Sequence, residues 1–216
     1  LENQSLGLVP EVVVKCIKNG TVKIIEEKNH ADYVYDLEEI HRYQGRRYRT
    51  KRKLFNRFVN RSSPSVSIME FNRPNRDRIL DLFDGWASQK NNESNIFHRN
   101  ERLALERFFE IDNLDVNNFV ILGVEVSSLL VGFSIAEKLK NHYTLLHFEK
   151  GMTSQFPGIG AYLFNVMSKY LLNAGYRYIN LEEDLGLDGL RANKVSYRPC
   201  LYFKKYGIMA LDLKGQ

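Results

Sequence analysis

This 216-residue chain has no stretch of eighteen apolar residues, and so contains no candidate membrane-spanning helix. Its N-terminus lacks the basic, apolar and small-residue segments of a secretory signal. It begins at Leu1 without methionine, so the natural start is expected to lie elsewhere. Cysteine is scarce: Cys16 and Cys200 lie far apart, with no C-x-x-C and no paired histidines, which argues against a zinc site and a disulfide framework. No metal is expected, and the compartment reads as reducing and cytoplasmic. What remains is ordinary for a globular protein: 44% hydrophobic and 26% charged residues, enough for a sizeable core.

The excess of five positive charges is concentrated. Arg42, Arg46, Arg47, Arg49, Lys51, Arg52, Lys53, Arg57 and Arg61 follow His41 without one carboxylate between Arg42 and Arg61. Leu54, Phe55 and Phe58 share one side of a helix expected over about 48–59. Tyr43, Tyr48, Phe55 and Phe58 either stack on bases or anchor the segment. The helix itself either docks on the remainder or holds a polyanion, such as tRNA, coenzyme phosphates or an anionic membrane surface, through Arg46, Arg47, Lys51 and Arg52.

Strands are expected over 11–17 and 21–26, joined by an Asn-Gly turn at 18–20, and at 33–35. After a proposed boundary at Ser62–Ser65, the pattern predicts a strand at 66–71 and helices at 75–89 and 101–111. A three-strand meander then covers 119–126, 129–137 and 143–149. A glycine loop, a helix over 161–173, a strand at 178–182, a short helix near 187–195 and a final strand pair within 200–213 complete the chain.

Gln155-Phe156-Pro157-Gly158-Ile159-Gly160-Ala161 sits between strand and helix. Two glycines permit a tight turn, and the first amides of a helix lack intrahelical partners, so the segment is either an anion cradle or a turn that needs glycine for geometry. The motif Q-x-x-G-x-G/A resembles the pyrophosphate loop of GNAT acyltransferases. The order β-α-α-β-β-β-α-β-α-β-β from Val66 onward is that of the same fold: a mixed α/β sheet flanked by helices, with the pantetheine of a coenzyme lying between splayed fourth and fifth strands. That resemblance implies acyl-CoA, including acetyl-CoA, as a cofactor at Gln155, Gly158, Ile159, Gly160 and Ala161. Residues 1–64 then form the tail of a second GNAT-like unit plus the basic helix, and 65–216 the acyltransferase domain.

The run from Tyr178-Ile179-Asn180-Leu181-Glu182-Glu183-Asp184 through Arg191-Ala192-Asn193-Lys194 to Tyr197-Arg198-Pro199 resembles the bacterial phosphatidylglycerol lysyltransferase C-terminal-domain family, built from tandem GNAT-like units. Asp32-Tyr33-Val34-Tyr35-Asp36, the Gly45–Phe58 segment and His147-Phe148-Glu149-Lys150 agree. The resemblance implies acyl transfer to an amine from an acyl-CoA, an aminoacyl transfer from tRNA to a lipid or peptide amine, or a GNAT-like scaffold that only binds.

The acidic triplet stands at the carboxyl end of an expected strand, where open sheets place ligands. Crowded carboxylates raise a pKa on burial and suit a base, which makes Glu182 one catalytic candidate; Glu149, at the end of the expected fourth strand, is the other, or else forms a salt bridge to the basic helix. Asp184 either joins the triplet or caps the next helix. Asn180, Glu183, Arg191 and Lys194 are substrate-binding candidates; Arg191 and Lys194 serve equally as a neutralising ion-pair network. The GNAT resemblance makes Tyr197 a proton donor to a leaving thiolate, or else a packed tyrosine. His147 is expected on the side of its strand that Glu149 occupies. Cys200 lacks a neighbouring histidine and is a poor nucleophile.

Overall fold

A computed structural model describes residues 5–17, 22–89 and 95–211. The chain forms two compact units, one from 1–35 with 180–216 and the other from 36–179. The cut expected after Pro64 falls inside the second unit.

In the first unit, β1 (Ser5–Pro10), β10 (Lys205–Ala210) and β2 (Val22–Glu26) form an antiparallel sheet in the order β1-β10-β2. The strand expected at 11–17 is displaced: β1 ends at Pro10, and Glu11–Val14 make one helical turn, α1. Pro10, extended at ψ of 147°, is the N-cap of this turn and has no N–H to give the ladder, so the strand stops there despite the three β-branched valines that follow. The Asn-Gly turn at 18–20 lies outside the described residues. A second antiparallel pair joins β3 (Asp32–Asp36) to β9 (Leu201–Phe203), with Tyr33 opposite Tyr202. The expected terminal strand pair is therefore corrected: β9 and β10 pair with β3 and with β1 and β2, and not with each other. Helix α7 (Asp188–Ser196) precedes them.

The second unit is built on the meander β4 (Ser65–Ile68), β5 (Phe119–Val126), β6 (Leu129–Lys138) and β7 (Tyr143–Gly151), all antiparallel. Strand β8 (Tyr178–Asn180) follows β7, the N–H of Tyr178 donating to the His142 carbonyl at 3.2 Å. Helices α4 (Arg73–Ala87) and α5 (Asn95–Phe108) cover one face, where Ile79, Phe83, Leu105 and Phe108 pack with Ile121, Phe133 and Ile135. Alternation along the strands turns these residues to one side. On the other face lies α6 (Ile159–Asn173). Gly132 and Gly151 oppose each other across β6 and β7, and a Cβ on either would come within 2.9 Å of Ile159, so this bare patch of sheet seats the helix.

Against α6 rest α2 (Leu37–Arg42) and the basic helix, α3 (Arg49–Ser62). Asp36 caps α2 by accepting from the N–H of Glu38 at 2.9 Å. Asn165 of α6, buried, donates to the carbonyls of Ile40 at 3.1 Å and His41 at 2.6 Å. Phe58 meets Tyr162 at 5.0 Å between ring centres, Phe55 meets Tyr162 at 5.3 Å, and the Tyr43 hydroxyl donates to the Ala161 carbonyl at 2.8 Å. The aromatics of the basic segment are thus its anchors.

At the start of α6, Gly158 has φ of 104°, and a Cβ there would lie 2.2 Å from the Leu54 carbonyl oxygen of α3. Beyond its chain neighbours and its own helix backbone, no atom of the described residues stands within 4 Å of a Cβ built on Gly160. We therefore expect Gly158→Ala to lower stability by about 3 kcal/mol, combining left-handed strain with overpacking. Gly160→Ala should leave it unchanged or raise it by up to about 1 kcal/mol. Urea midpoints at equal m-value measure both.

Candidate functional site

Two groups of predicted residues are gathered, one in each unit. In the second unit, Ser134 and Glu149 are cross-strand partners, so their side chains share the face covered by α6, and the Ser134 hydroxyl donates to Glu149 at 3.2 Å. Phe148, one residue earlier, points into the α4 and α5 core. Lys150 likewise faces α4 and α5, 2.6 Å from Glu101 of α5 and 4.8 Å from the centre of the Trp86 ring. Glu149 is half-buried, and the partial loss of water, opposed by Ser134, Lys150 and Lys51, lifts its carboxyl from 4.5 to about 7. Lys51 is buried at 7% exposure, and the same loss of water brings its ammonium down to about 8 despite the attraction of Glu149. Both groups consequently exchange protons near neutrality, where general acid and base catalysts work best.

The glycine loop adjoins the seam of α3. Gln155 is exposed, while Ile159 and Ala161 are buried. The Ile159 N–H is already bonded to the Phe156 carbonyl at 3.1 Å, and the Gly158 side of the turn is filled by the Leu54 carbonyl. Gly160 faces open space.

The remaining basic candidates separate by partner. Arg47 pairs with Glu39, and Arg52 donates to the carbonyls of Tyr43 at 2.5 Å and Gly45 at 3.3 Å, closing the turn before α3. Arg46 is exposed. On α3, Arg49, Lys53, Arg57 and Arg61 recur every fourth residue on the side away from Lys51, Leu54 and Phe58. All four are exposed, and none has an ion-pair partner among the described residues. This stripe, rather than Lys51, presents the free charge of the segment.

In the first unit, the triplet forms a tight turn after Asn180, with Glu182 at φ of 58°. The Asn180 side chain accepts the Glu182 N–H at 2.7 Å and donates to Asp32 at 3.1 Å. Asp184 is buried and receives Arg191 Nε at 2.8 Å, Arg191 Nη2 at 3.0 Å, the Tyr33 hydroxyl at 2.5 Å and the Gly186 N–H at 2.8 Å. The Arg191 hydrogen bonds hold its carboxyl down at about 2, so this member of the triplet is shifted opposite to the expected direction and stays ionised. It does not cap α7, whose N-cap is Leu187. The buried Lys194 ammonium donates to the carbonyls of Leu181, Glu182 at 3.1 Å and Glu183 at 2.6 Å. Burial lowers it to about 8. Glu183 is shared between His30 at 3.0 Å and Lys205 at 3.4 Å. Arg191 and Lys194 thus tie the turn together, and Tyr197 is buried at 5% exposure just beyond α7.

The residues 7–209 match the family described as phosphatidylglycerol lysyltransferase, C-terminal. The chain belongs to this family. It is similar over 97% of its length, at 25% identity and a TM-score of 0.85, to 70% of a conserved Bacteroides thetaiotaomicron protein of unknown function. Two further likenesses are to the C-terminal domain of a putative lysylphosphatidylglycerol synthetase from Agrobacterium fabrum and to L-PGS from Bacillus licheniformis. The first has 14% identity, a TM-score of 0.66 and coverage of 96% of this chain and 67% of that one. The second has 13%, 0.70, 96% and 68%. No curated relative matches the sequence. From β4 onward the second unit runs β-α-α-β-β-β-α-β, as the sequence pattern predicts, and no group of three or more His, Cys, Asp or Glu suited to a metal is found among the described residues.

His147 departs from expectation. A bulge in β7, where Ile135 opposes Phe148 and Ala136 opposes Leu146, breaks the alternation, and His147 bonds Glu137 at 2.9 Å. Sequence reasoning also passed over Ser134, whose only signal was its place on an alternating strand, and Tyr33, which lies 151 residues from Asp184.

The folded pKa of Glu149 lies above that of an unfolded glutamate. Its contribution to stability is therefore complete below about 4.5 and lost as pH rises through about 7. Glu149→Gln should be more stable than the native chain by about 2 kcal/mol at pH 9, allowing for partial screening, with the gap closing toward pH 5. Denaturant titrations at the two pH values provide the measurement.

Proposed function

We propose that this domain transfers an aminoacyl group from tRNA to a nucleophilic acceptor, an amine of a lipid or peptide, with Glu149 as the base. The observation that carries this reading is the double use of α3. Its inner side closes the Gly158 half of the loop, and its outer side bears the exposed stripe Arg49, Lys53, Arg57 and Arg61, without ion-pair partners among the described residues. At the helical rise of about 1.5 Å per residue the stripe runs about 18 Å, matching a track of several phosphates. Membership of a lysyltransferase family supports an aminoacyl donor. In the reaction, the acceptor nitrogen attacks the ester carbonyl of the donor. Glu149 takes the proton the nitrogen sheds, and the terminal ribose oxygen leaves with the electron pair and is protonated. With a carboxyl near 7, Glu149 is substantially ionised at neutral pH and still able to release the proton. Arg46 of the same unit is a further candidate contact to substrate. In the first unit, Glu182 as base, Tyr197 as proton donor and Asn180 and Glu183 as substrate contacts are a candidate set of their own.

A second reading, with an acyl-CoA as donor, is favoured by the open surroundings of Gly160, which leave the other half of the loop free for a diphosphate with Gln155, Ile159 and Ala161 around it. The two readings separate in one experiment. Lys53→Glu with Arg57→Glu should weaken filter binding of aminoacylated tRNA at least tenfold at 50 mM salt and flatten its salt dependence, while Gly160→Trp leaves that binding unchanged. Saturable binding of acetyl-CoA, abolished by Gly160→Trp and untouched by the charge reversals, would establish the second reading instead.

A further inference from the structure

Within the first unit, Pro10, Val12 and Lys15 of the α1 region and Tyr202, Phe203 and Lys204 of the β9 region line a cavity of about 430 Å³, together with Asp32 and Lys205. The volume lies in the range of small-molecule sites, and the walls are chiefly apolar. Val12 is 71% exposed, and Tyr202 and Phe203 are about half exposed, although aromatic and aliphatic surface of this kind is usually covered. The site is not empty of charge. Lys15, Lys204 and Lys205 line it against two carboxylates, Glu11 and Asp32. Asp32 is already satisfied, receiving Lys205 at 2.6 Å and Asn180 at 3.1 Å. Lys15 and Lys204 are held by exposed pairs with Glu11 at 3.5 Å and Glu26 at 3.3 Å, contacts of little net worth that a ligand anion replaces readily.

We propose that this cavity binds an amphipathic monoanion, its aliphatic or aromatic body between Val12, Tyr202 and Phe203 and its carboxylate between Lys15 and Lys204. The excess of one positive charge in the lining favours one negative charge over two, and the apolar walls disfavour a fully hydrated anion. Neither the transfer reaction nor the basic helix enters this assignment, so it stands or falls independently of the function proposed above.

Isothermal titration of the whole chain with octanoate and with octanol, below their aggregation limits, tests it. Octanoate should bind saturably at one site, at least tenfold more tightly than octanol. Val12→Trp, at a surface position, should abolish octanoate binding without lowering the thermal midpoint. Lys15→Glu with Lys204→Glu should bring octanoate to the level of octanol or below, leaving octanol unaffected. Absence of octanoate binding, equal affinity for octanol in the native chain, or octanoate binding undiminished in both variants would each overturn the proposal.

Discussion

The contact between the Leu54 carbonyl and Gly158 governs the second unit. Helix α3 comes so close to the first turn of α6 that only a residue without Cβ fits, and one with φ of 104°. With α3 fixed there, Phe55 and Phe58 fill against Tyr162, Lys51 is driven beneath the helix, and the four cations at fourfold spacing are turned to solvent. A helix with this many cations repels itself and has little reason to be stable alone; the aromatic seam supplies the compensation. The same packing removes water from Glu149, which sits on the α6 side of the sheet opposite Ser134. One close approach therefore sets the proposed base, its buried cation neighbour and the exposed basic stripe.

The acidic turn of the first unit follows another logic. A chain that reverses through left-handed residues at Glu182, Leu185 and Gly186 leaves carbonyls pointing inward. The Lys194 ammonium gathers three of them, and Arg191 gathers both oxygens of Asp184. Removing Arg191 would leave the buried Asp184 charge uncompensated, and removing Lys194 would leave three carbonyls without their donor, which explains why the signature combines acidic and basic residues at this spacing. Its geometry is that of a rigid turn presenting Glu182 and Glu183, with Asp184 as its keystone.

Much of this was legible in the sequence. The meander strands β5 to β7 and helix α6 are marked by clean periodicity and by the short turns between them, because each is decided by residues close in the chain. The amphipathic face of α3 was visible in Leu54, Phe55 and Phe58. What that pattern does not disclose is which of nine neighbouring cations goes inside: Lys51 is distinguished only by falling on the same face as Phe58, and its burial depends on α6, a hundred residues away. The bulge that redirects His147 leaves no composition signal, and Pro10 overrode the valine run after it. Asp184 read as one of three crowded acids, since the groups that depress it, Tyr33 and Arg191, converge only in the fold. The role of Gly158 was open between an anion cradle and a turn that needs glycine for geometry; its φ of 104° shows the turn, the proximity of Leu54 adds a packing constraint that no local pattern discloses, and the Gly160 side remains free for a ligand.

The central claim is that Glu149, made weakly acidic by its cover, takes the acceptor's proton. Single-turnover transfer from labelled aminoacyl-tRNA to an amine, followed from pH 5.5 to 8.5, tests it directly. The account predicts a rate that rises about tenfold per pH unit at the acid end and levels near pH 7, with Glu149→Gln slower by at least a hundredfold and without that inflection. A Glu149→Gln enzyme that keeps both the rate and the inflection would contradict it and place the base elsewhere.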